Sequence, residues 1–246
     1  MNLFAILIGF GATLGLANVA WHARRTHDMP SLVTAGLLAL LGALLGGRLG
    51  YGVANWAYFR SHLADLPRLW LGGLSAPGAL AGGLLALPLA SWWLHLRLPT
   101  LADRLVPLLP PLAVFAWLAG WAAGVAYGPL SGVSALGLPA RDEWGFFAPR
   151  LPLQLAGALI TLALLGWLES RGSFPHRPGM SFSLAFLAVV IPALGVSFAR
   201  VDPTPLWSGL RSDTWGYLGL SLAGLMLLAL SLLLPQMARP VSTEGA

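Results

Sequence analysis

Leu44-Leu45-Gly46-Gly47-Arg48-Leu49-Gly50-Tyr51 is the centre of a stretch, Ser31 to Phe59, in which Arg48 is the only charged residue. The stretch is long and apolar enough to cross a bilayer, which makes the chain a membrane protein and puts a cation at bilayer depth. A charge there costs about 2.5–3.5 kcal/mol on insertion scales, so it faces a polar cavity or a partner. Arginine offers five donors in a planar fork that matches phosphate, and the neighbouring glycines allow a headgroup or another helix close to the backbone. Two uses of Arg48 follow from this: binding a ligand, or serving as a structural charge satisfied by backbone carbonyls.

The rest of the chain agrees with that class. It is 57% hydrophobic and 9% charged, a composition that a soluble domain of 246 residues could not carry on its surface. Apolar stretches recur along its whole length, and no polar stretch is long enough to build a separate soluble core. The expectation is one all-α integral membrane domain over 1–246, multi-pass, with seven transmembrane helices near 2–21, 31–59, 71–95, 105–128, 151–168, 180–199 and 215–234. The second span is long enough to tilt or to break at its glycines. The first lacks a basic start and is followed by Arg24 and Arg25, so it reads as a retained helix and not a cleaved signal. Connectors 129–150 and 200–214, rich in Gly, Pro, Ser and Trp, are expected on one side. Arginines in short loops are nearly balanced between the two sides. The Arg24-Arg25 pair after the first helix favours N-terminus out and C-terminus in.

The net charge of +5 is carried by arginine alone, for there is no lysine and no cysteine. That excludes a retinal Schiff base, disulfides and thiol chemistry. No cluster of four basic residues is present, so the positive balance speaks of lipid headgroups and loop topology, not nucleic acid. His22, His27, His62, His95 and His176 lie near span ends or in loops, and every Asp and Glu lies in a loop or at a span end. No metal site, cofactor or ion-pump pathway is expected from them. Trp21, Trp56, Tyr58, Trp70, Trp92, Trp93, Trp144, Trp167, Trp207 and Trp215 sit where interfacial anchors belong, whereas Trp121 falls inside the fourth predicted span. Gly11-xxx-Gly15, Gly42-xxx-Gly46, Gly46-xxx-Gly50 and Gly120-xxx-Gly124 predict close helix packing.

A second glycine cluster, Leu71-Gly72-Gly73-Leu74-Ser75-Ala76-Pro77-Gly78, opens the third predicted span and reads as a broken or re-entrant start whose amides could meet a phosphate. Together with Gly46-Gly47-Arg48-Leu49-Gly50-Tyr51 it resembles the prolipoprotein diacylglyceryl transferase family. That family carries Gly-Gly-Arg-x-Gly-Tyr in its second helix and then Gly-Gly-x-Ser-x-His-Gly. Asp142-Glu143-Trp144-Gly145 and Pro152-Leu153-Gln154-Leu155 are similar to the family's Pro-Trp-Gly and His-Pro-x-Gln-Leu-Tyr-Glu. The resemblance covers roughly 1–235 and implies a protein of the bacterial inner membrane that handles phosphatidylglycerol and a lipoprotein precursor. It places Arg48, Tyr51, Gly72, Gly73, Ser75, Gly78 and Gln154 around a lipid headgroup.

The departures lie in the chemistry-bearing positions. The family's essential histidine falls on Ala76 or Pro77, and its Gly-Arg-x-Gly-Asn-Phe-x-Asn-Gly signature on Gly120 to Gly128. There the arginine is Trp121 and the asparagines are Gly124 and Tyr127. The later histidine, tyrosine and glutamate fall on Leu151, Ala156 and Gly157, and the sixth span has no charge before Arg200. No residue therefore receives a catalytic role, because thiol transfer to a lipid carbon needs a base and cations for the departing phosphate. The expected function is a transferase-like protein that binds phosphatidylglycerol and, its motif residues being degenerate, transfers diacylglyceryl to a lipoprotein cysteine weakly or not at all. The alternative is a non-catalytic scaffold whose partners are subunits of a membrane complex.

Overall fold

The computed structural model describes residues 3–69, 72–133, 137–142, 144–171 and 177–233. Trp70, Leu71, Glu143, His176 and Arg239 lie outside the described residues. The helices are α1 (Leu3–Ala23), α2 (Met29–Ala54), α3 (Trp56–Phe59), α4 (Ala76–Trp93), α5 (Leu98–Arg104), α6 (Leu109–Ala123), α7 (Leu153–Ser170), α8 (Met180–Ala199) and α9 (Ser212–Leu233). Two small antiparallel hairpins join them: β1 (Leu138–Arg141) with β2 (Phe147–Arg150), and β3 (Leu206–Trp207) with β4 (Leu210–Arg211).

Six segments among the described residues are long and apolar enough to cross a membrane: α1, α2, Leu98–Ala123, α7, α8 and α9. The helix of the third predicted span, α4, is not among them. Pro77, Pro88, Gly78, Gly82 and Gly83 dilute its leucines. The second predicted span does break, but at Asn55, not at its glycines. Met29–Ala54 is continuous, and Asn55 then turns the chain into the single turn of α3. The fourth predicted span, 105–128, is displaced toward the N-terminus: the crossing segment begins at Leu98 and ends at Ala123. Leu98–Arg104, a turn at Val106–Leu108 and Leu109–Ala123 follow one another, and Gly124 closes the last at φ 69. Trp121 thus lies on the final turn of α6, at the end of a crossing segment.

The bundle is organised around α8. Two-thirds of its apolar window is buried (67%), against 17–28% for the other crossing segments, which is why that helix carries no charge. Its buried Phe182, Phe186, Val190 and Ala193 join Val19, Leu32, Leu87, Leu101, Tyr217 and Leu220 in the main core. The tightest seam runs between α2 and α4. A methyl at Gly42, Gly46 or Gly50 would lie 2.6, 2.5 or 2.9 Å from the backbone of Gly82 or Gly78, so only glycine permits this approach. Gly11 and Gly15 play the same part against Phe115 and Leu108. The Gly120-xxx-Gly124 pair does not, because Gly124 ends its helix and is pressed instead against the backbone of Asp142.

Three connectors gather at one end. Val201 N donates to Tyr127 O at 3.1 Å, joining the segments before α7 and after α8. A Cβ on Gly216, near the start of α9, would touch Pro77 at the start of α4, which brings the 60–75 segment to the same end. At the opposite end the Asp103 carboxylate accepts from Gly179 N (2.6 Å) and Phe182 N (2.8 Å), capping α8, and Arg104 pairs with Asp28 at 2.6 Å.

Candidate functional site: the loop around Arg48

Arg48 is buried, 4% exposed, nearly two turns before the end of α2. Its guanidinium is enclosed by the returning chain. Nε donates to Leu66 O (2.7 Å), one terminal nitrogen to Gly72 O and to Gly73 O (3.0 Å), and the other to Asp65 O (2.6 Å) and Arg68 O (3.0 Å). The rings of Tyr51 and Phe59 flank it, with centroids 5.8 and 5.5 Å from the guanidinium carbon. Five donors meet five backbone carbonyls, and the fork is full. Of the two uses open to this arginine, the structure realises the carbonyl-bound one. The phosphate fork expected of it has no N–H left to offer.

The glycines serve this cage. Gly72 and Gly73 both have φ near +78°, the left-handed region where a side chain is strained, and this turns their carbonyls onto the cation. Gly73 also lies flat against the Tyr51 ring, where a Cβ would collide. Ser75 N donates to Gly47 O at 2.8 Å, tying the loop's end back to α2. Ser75 then caps α4, its Oγ accepting from Gly78 N at 3.2 Å, and Pro77 occupies the first turn. Gly78 packs on the Gly46 carbonyl in the α2–α4 seam. Arg48, Tyr51, Gly72, Gly73, Ser75 and Gly78 are therefore one constellation, and its direct work is holding a loop shut.

Gln154 stands apart from it. Buried on α7 (3% exposed), it donates through Nε2 to Val125 O at 2.9 Å, fastening the loop that follows α6. The expected cavity joining Arg48, Ser75 and Gln154 is replaced by these two separate fastenings. A hollow of about 280 Å³ opens instead at the opposite end of the bundle, between Asn18, His22, Asp103, Glu169 and Ser181.

On the outer face of the Arg48 loop Tyr58 Oη donates to Asp65 Oδ2 at 2.8 Å, Arg68 pairs with Asp65 at 2.8 Å, and the His62 ring stacks on Tyr58 at 4.4 Å. Arg60 beside them is exposed. Two further constellations escaped the sequence reading. Arg150 lies over the buried Tyr127 ring at 4.3 Å and pairs with Asp142 at 3.4 Å. Arg200 pairs with Asp202 (2.5 Å) and Asp213 (2.7 Å), and Arg211 with the same two carboxylates (3.4 and 3.1 Å). Burial pushes the Asp202 carboxyl up, but the hydrogen bond and charge of Arg200 with the charge of Arg211 outweigh it. Asp202 is thus held below the usual carboxylate range. Burial likewise lowers Arg200, and the two carboxylates more than restore it. The signal was present as a repeated Arg-x-Asp, Arg200-Val201-Asp202 and Arg211-Ser212-Asp213.

Fold and site together define a helical integral membrane protein, built on a glycine-seamed helix pair and a loop closed over a buried arginine. Comparison with known sequences gives that class a family. A profile described as prolipoprotein diacylglyceryl transferase matches residues 1–230. Relatives named phosphatidylglycerol--prolipoprotein diacylglyceryl transferase include one from Rhodospirillum rubrum, 30% identical over 84% of this chain and 76% of its own length. Another, from Nitratidesulfovibrio vulgaris, is 31% identical over 75% of this chain and 67% of its own length. A third, from Bordetella avium, is 29% identical over 78% and 74%. The chain belongs to the prolipoprotein diacylglyceryl transferase family.

Proposed function

We propose that this chain binds phosphatidylglycerol in the bacterial inner membrane and has lost ordinary diacylglyceryl transfer to a lipoprotein cysteine. Phosphatidylglycerol is the lipid named for the relatives, and the observation that carries the reading is the closed fork of Arg48. Five bonds to the carbonyls of Asp65, Leu66, Arg68, Gly72 and Gly73 make a platform, and Arg60, His62 and Arg68 are exposed on its outer face beside the exposed Trp56 and Tyr58. An anionic headgroup fits cations rimmed by interfacial aromatics. Arg48, Tyr51, Gly72, Gly73, Ser75 and Gly78 hold the platform from beneath, and Gln154 steadies the neighbouring loop.

In this reading α4 is the seventh span. Its 18 residues rise about 27 Å, near the thickness of a hydrocarbon core. The N-terminus is outside, so the three gathered connectors face the outer leaflet. Transfer fails because no base stands where the family has its histidine. Ala76 and Pro77 begin α4 where the family has its histidine, and the carboxylates of Asp202 and Asp213 are bound to Arg200 and Arg211. A general base contributes about 10²–10⁴-fold to such a step.

Two measurements test this. Native mass spectrometry after mild extraction should retain phosphatidylglycerol in preference to phosphatidylethanolamine; equal retention refutes the binding. Expression in a strain depleted of its own diacylglyceryl transferase should give no growth, and rescue would refute the loss of transfer.

A further inference from the structure

The β1–β2 hairpin is tied to the bundle at both of its ends. At the open end Leu138 pairs with Arg150, Leu130 bridges to Arg150, and Leu151 N donates to Pro129 O at 3.0 Å, two residues before α7 begins. At the turn end Arg141 donates to Ala122 O at 3.2 Å, and a Cβ on Gly124 would come within 2.6 Å of Asp142 O. Ala122 is in the last turn of α6 and Gly124 is its cap. A ribbon fastened at one end to the start of one span and at the other to the finish of its neighbour lies along the bundle's end. It does not stand up from it.

Hydrogen bonds hold the described residues of the turn, and its aromatic side chains are exposed. The Asp142 carboxylate accepts from Trp144 N (3.0 Å) and Phe146 N (2.9 Å) and pairs with Arg150, and Asp142 N donates to Phe146 O at 3.0 Å. Gly145 takes φ 89 to close it. That ordering leaves Trp144, Phe146 and Phe147 exposed by 78%, 73% and 72%. Large aromatics held this way forfeit their burial unless something covers them. Trp121 lies on the last turn of α6, where an interfacial anchor belongs, and exposed Arg141 suits anionic lipid.

We propose that the 142–147 turn is a membrane-interface wedge, whose Trp144, Phe146 and Phe147 insert among phospholipid headgroups at the level where α6 ends. The lipid surface follows from continuity. The turn rests on the end of a helix whose flank already faces lipid, so the three rings extend an apolar surface already in contact with the bilayer.

The chain has no cysteine, so single labels are unambiguous. Trp144→Cys and Phe146→Cys, spin-labelled in the full chain in phosphatidylglycerol-containing nanodiscs, are compared with Arg25→Cys in an exposed loop at the opposite end. Both turn labels should collide with oxygen relative to a water-soluble nickel chelate at a ratio several-fold above the Arg25→Cys reference. These side chains make little contact, so the variants should fold, as retained elution volume and helicity would confirm. A ratio equal to the reference places the turn in water and overturns the proposal. Dipolar broadening between labels in discs holding two chains puts a second copy on the wedge and overturns it equally.

Discussion

Removing the Arg48 side chain separates its structural role from any direct part in binding. Five hydrogen bonds from a charged donor, at about 1.5–3 kcal/mol each, bound the gross interaction near 7–15 kcal/mol. They are not additive, and placing the cation at depth already costs about 2.5–3.5 kcal/mol, so part of that figure is offset. Breaking one side of such a buried arrangement costs about 3–5 kcal/mol in practice. The loss should fall on the carbonyls of Asp65, Leu66, Arg68, Gly72 and Gly73, because nothing else in the cage replaces the guanidinium. Hydrogen exchange by mass spectrometry reads this directly. In Arg48→Ala, amides of 63–73 should exchange about 30–150-fold faster, the equivalent of roughly 2–3 kcal/mol of local opening. Amides in the middle of α8 should not change. Arg48→Lys should restore part of the protection, since an ammonium has three donors and no fork. Unchanged exchange over 63–73 in Arg48→Ala, together with lost retention of phosphatidylglycerol, would refute the reasoning and make Arg48 a lipid ligand.

Gly46→Ala should cost about 1–3 kcal/mol by overpacking, since its methyl would lie 2.5 Å from Gly78 O, while Gly219→Ala, with nothing within 4 Å, should be neutral or stabilising; thermal unfolding in one detergent compares them. Asp202 has a lowered folded-state pKa, so its stabilisation is complete above the unfolded value of about 3.9 and is lost as pH falls through the lower folded value. The Arg200–Asp213 segment should therefore hold its proteolytic resistance from pH 7 to about pH 5 and lose it below about pH 4. Asp202→Asn should be weakened already at pH 7. Equal behaviour of wild type and Asp202→Asn at both pH values would remove the carboxylate from the clasp.

Apolar length was enough to place most of the helices, because a span is written in consecutive residues. Its limits show at α4, where prolines and glycines that serve the α2 seam also lower the hydropathy that would mark a crossing. Cap geometry was harder to read. Gly124 takes a left-handed conformation and ends α6 at Ala123, yet in sequence it completes a small-xxx-small pair indistinguishable from the packing pairs of α2. The importance of Arg48 was legible from its isolation. Its partners were not, since main-chain carbonyls have no residue type to recognise. The clasp of Arg200, Asp202, Arg211 and Asp213 was missed for another reason: its charges sit in a connector, where charge is ordinary, and only the fold buries them.

The residues that keep the family pattern and those that depart from it differ in what they touch. Arg48 binds carbonyls, which the loop presents whatever side chains it carries, and Gly72, Gly73, Gly78 and Ser75 act through backbone angles, close approach and a cap. None of these duties requires a reacting group nearby. In the sequence resemblance, the motifs' histidine, arginine, asparagine, tyrosine and glutamate fall on positions 76, 77, 121, 124, 127, 151, 156 and 157 of this chain. In this fold they hold a helix start, a cap, a buried ring beneath Arg150, and small residues such as Gly157 against the Trp117 ring. Architecture and chemistry are thus carried by separate residues in one pair of motifs. On the proposed reading this chain keeps the membrane platform while acid–base groups are exchanged for packing, and that separation is why a buried arginine alone is no argument for transfer.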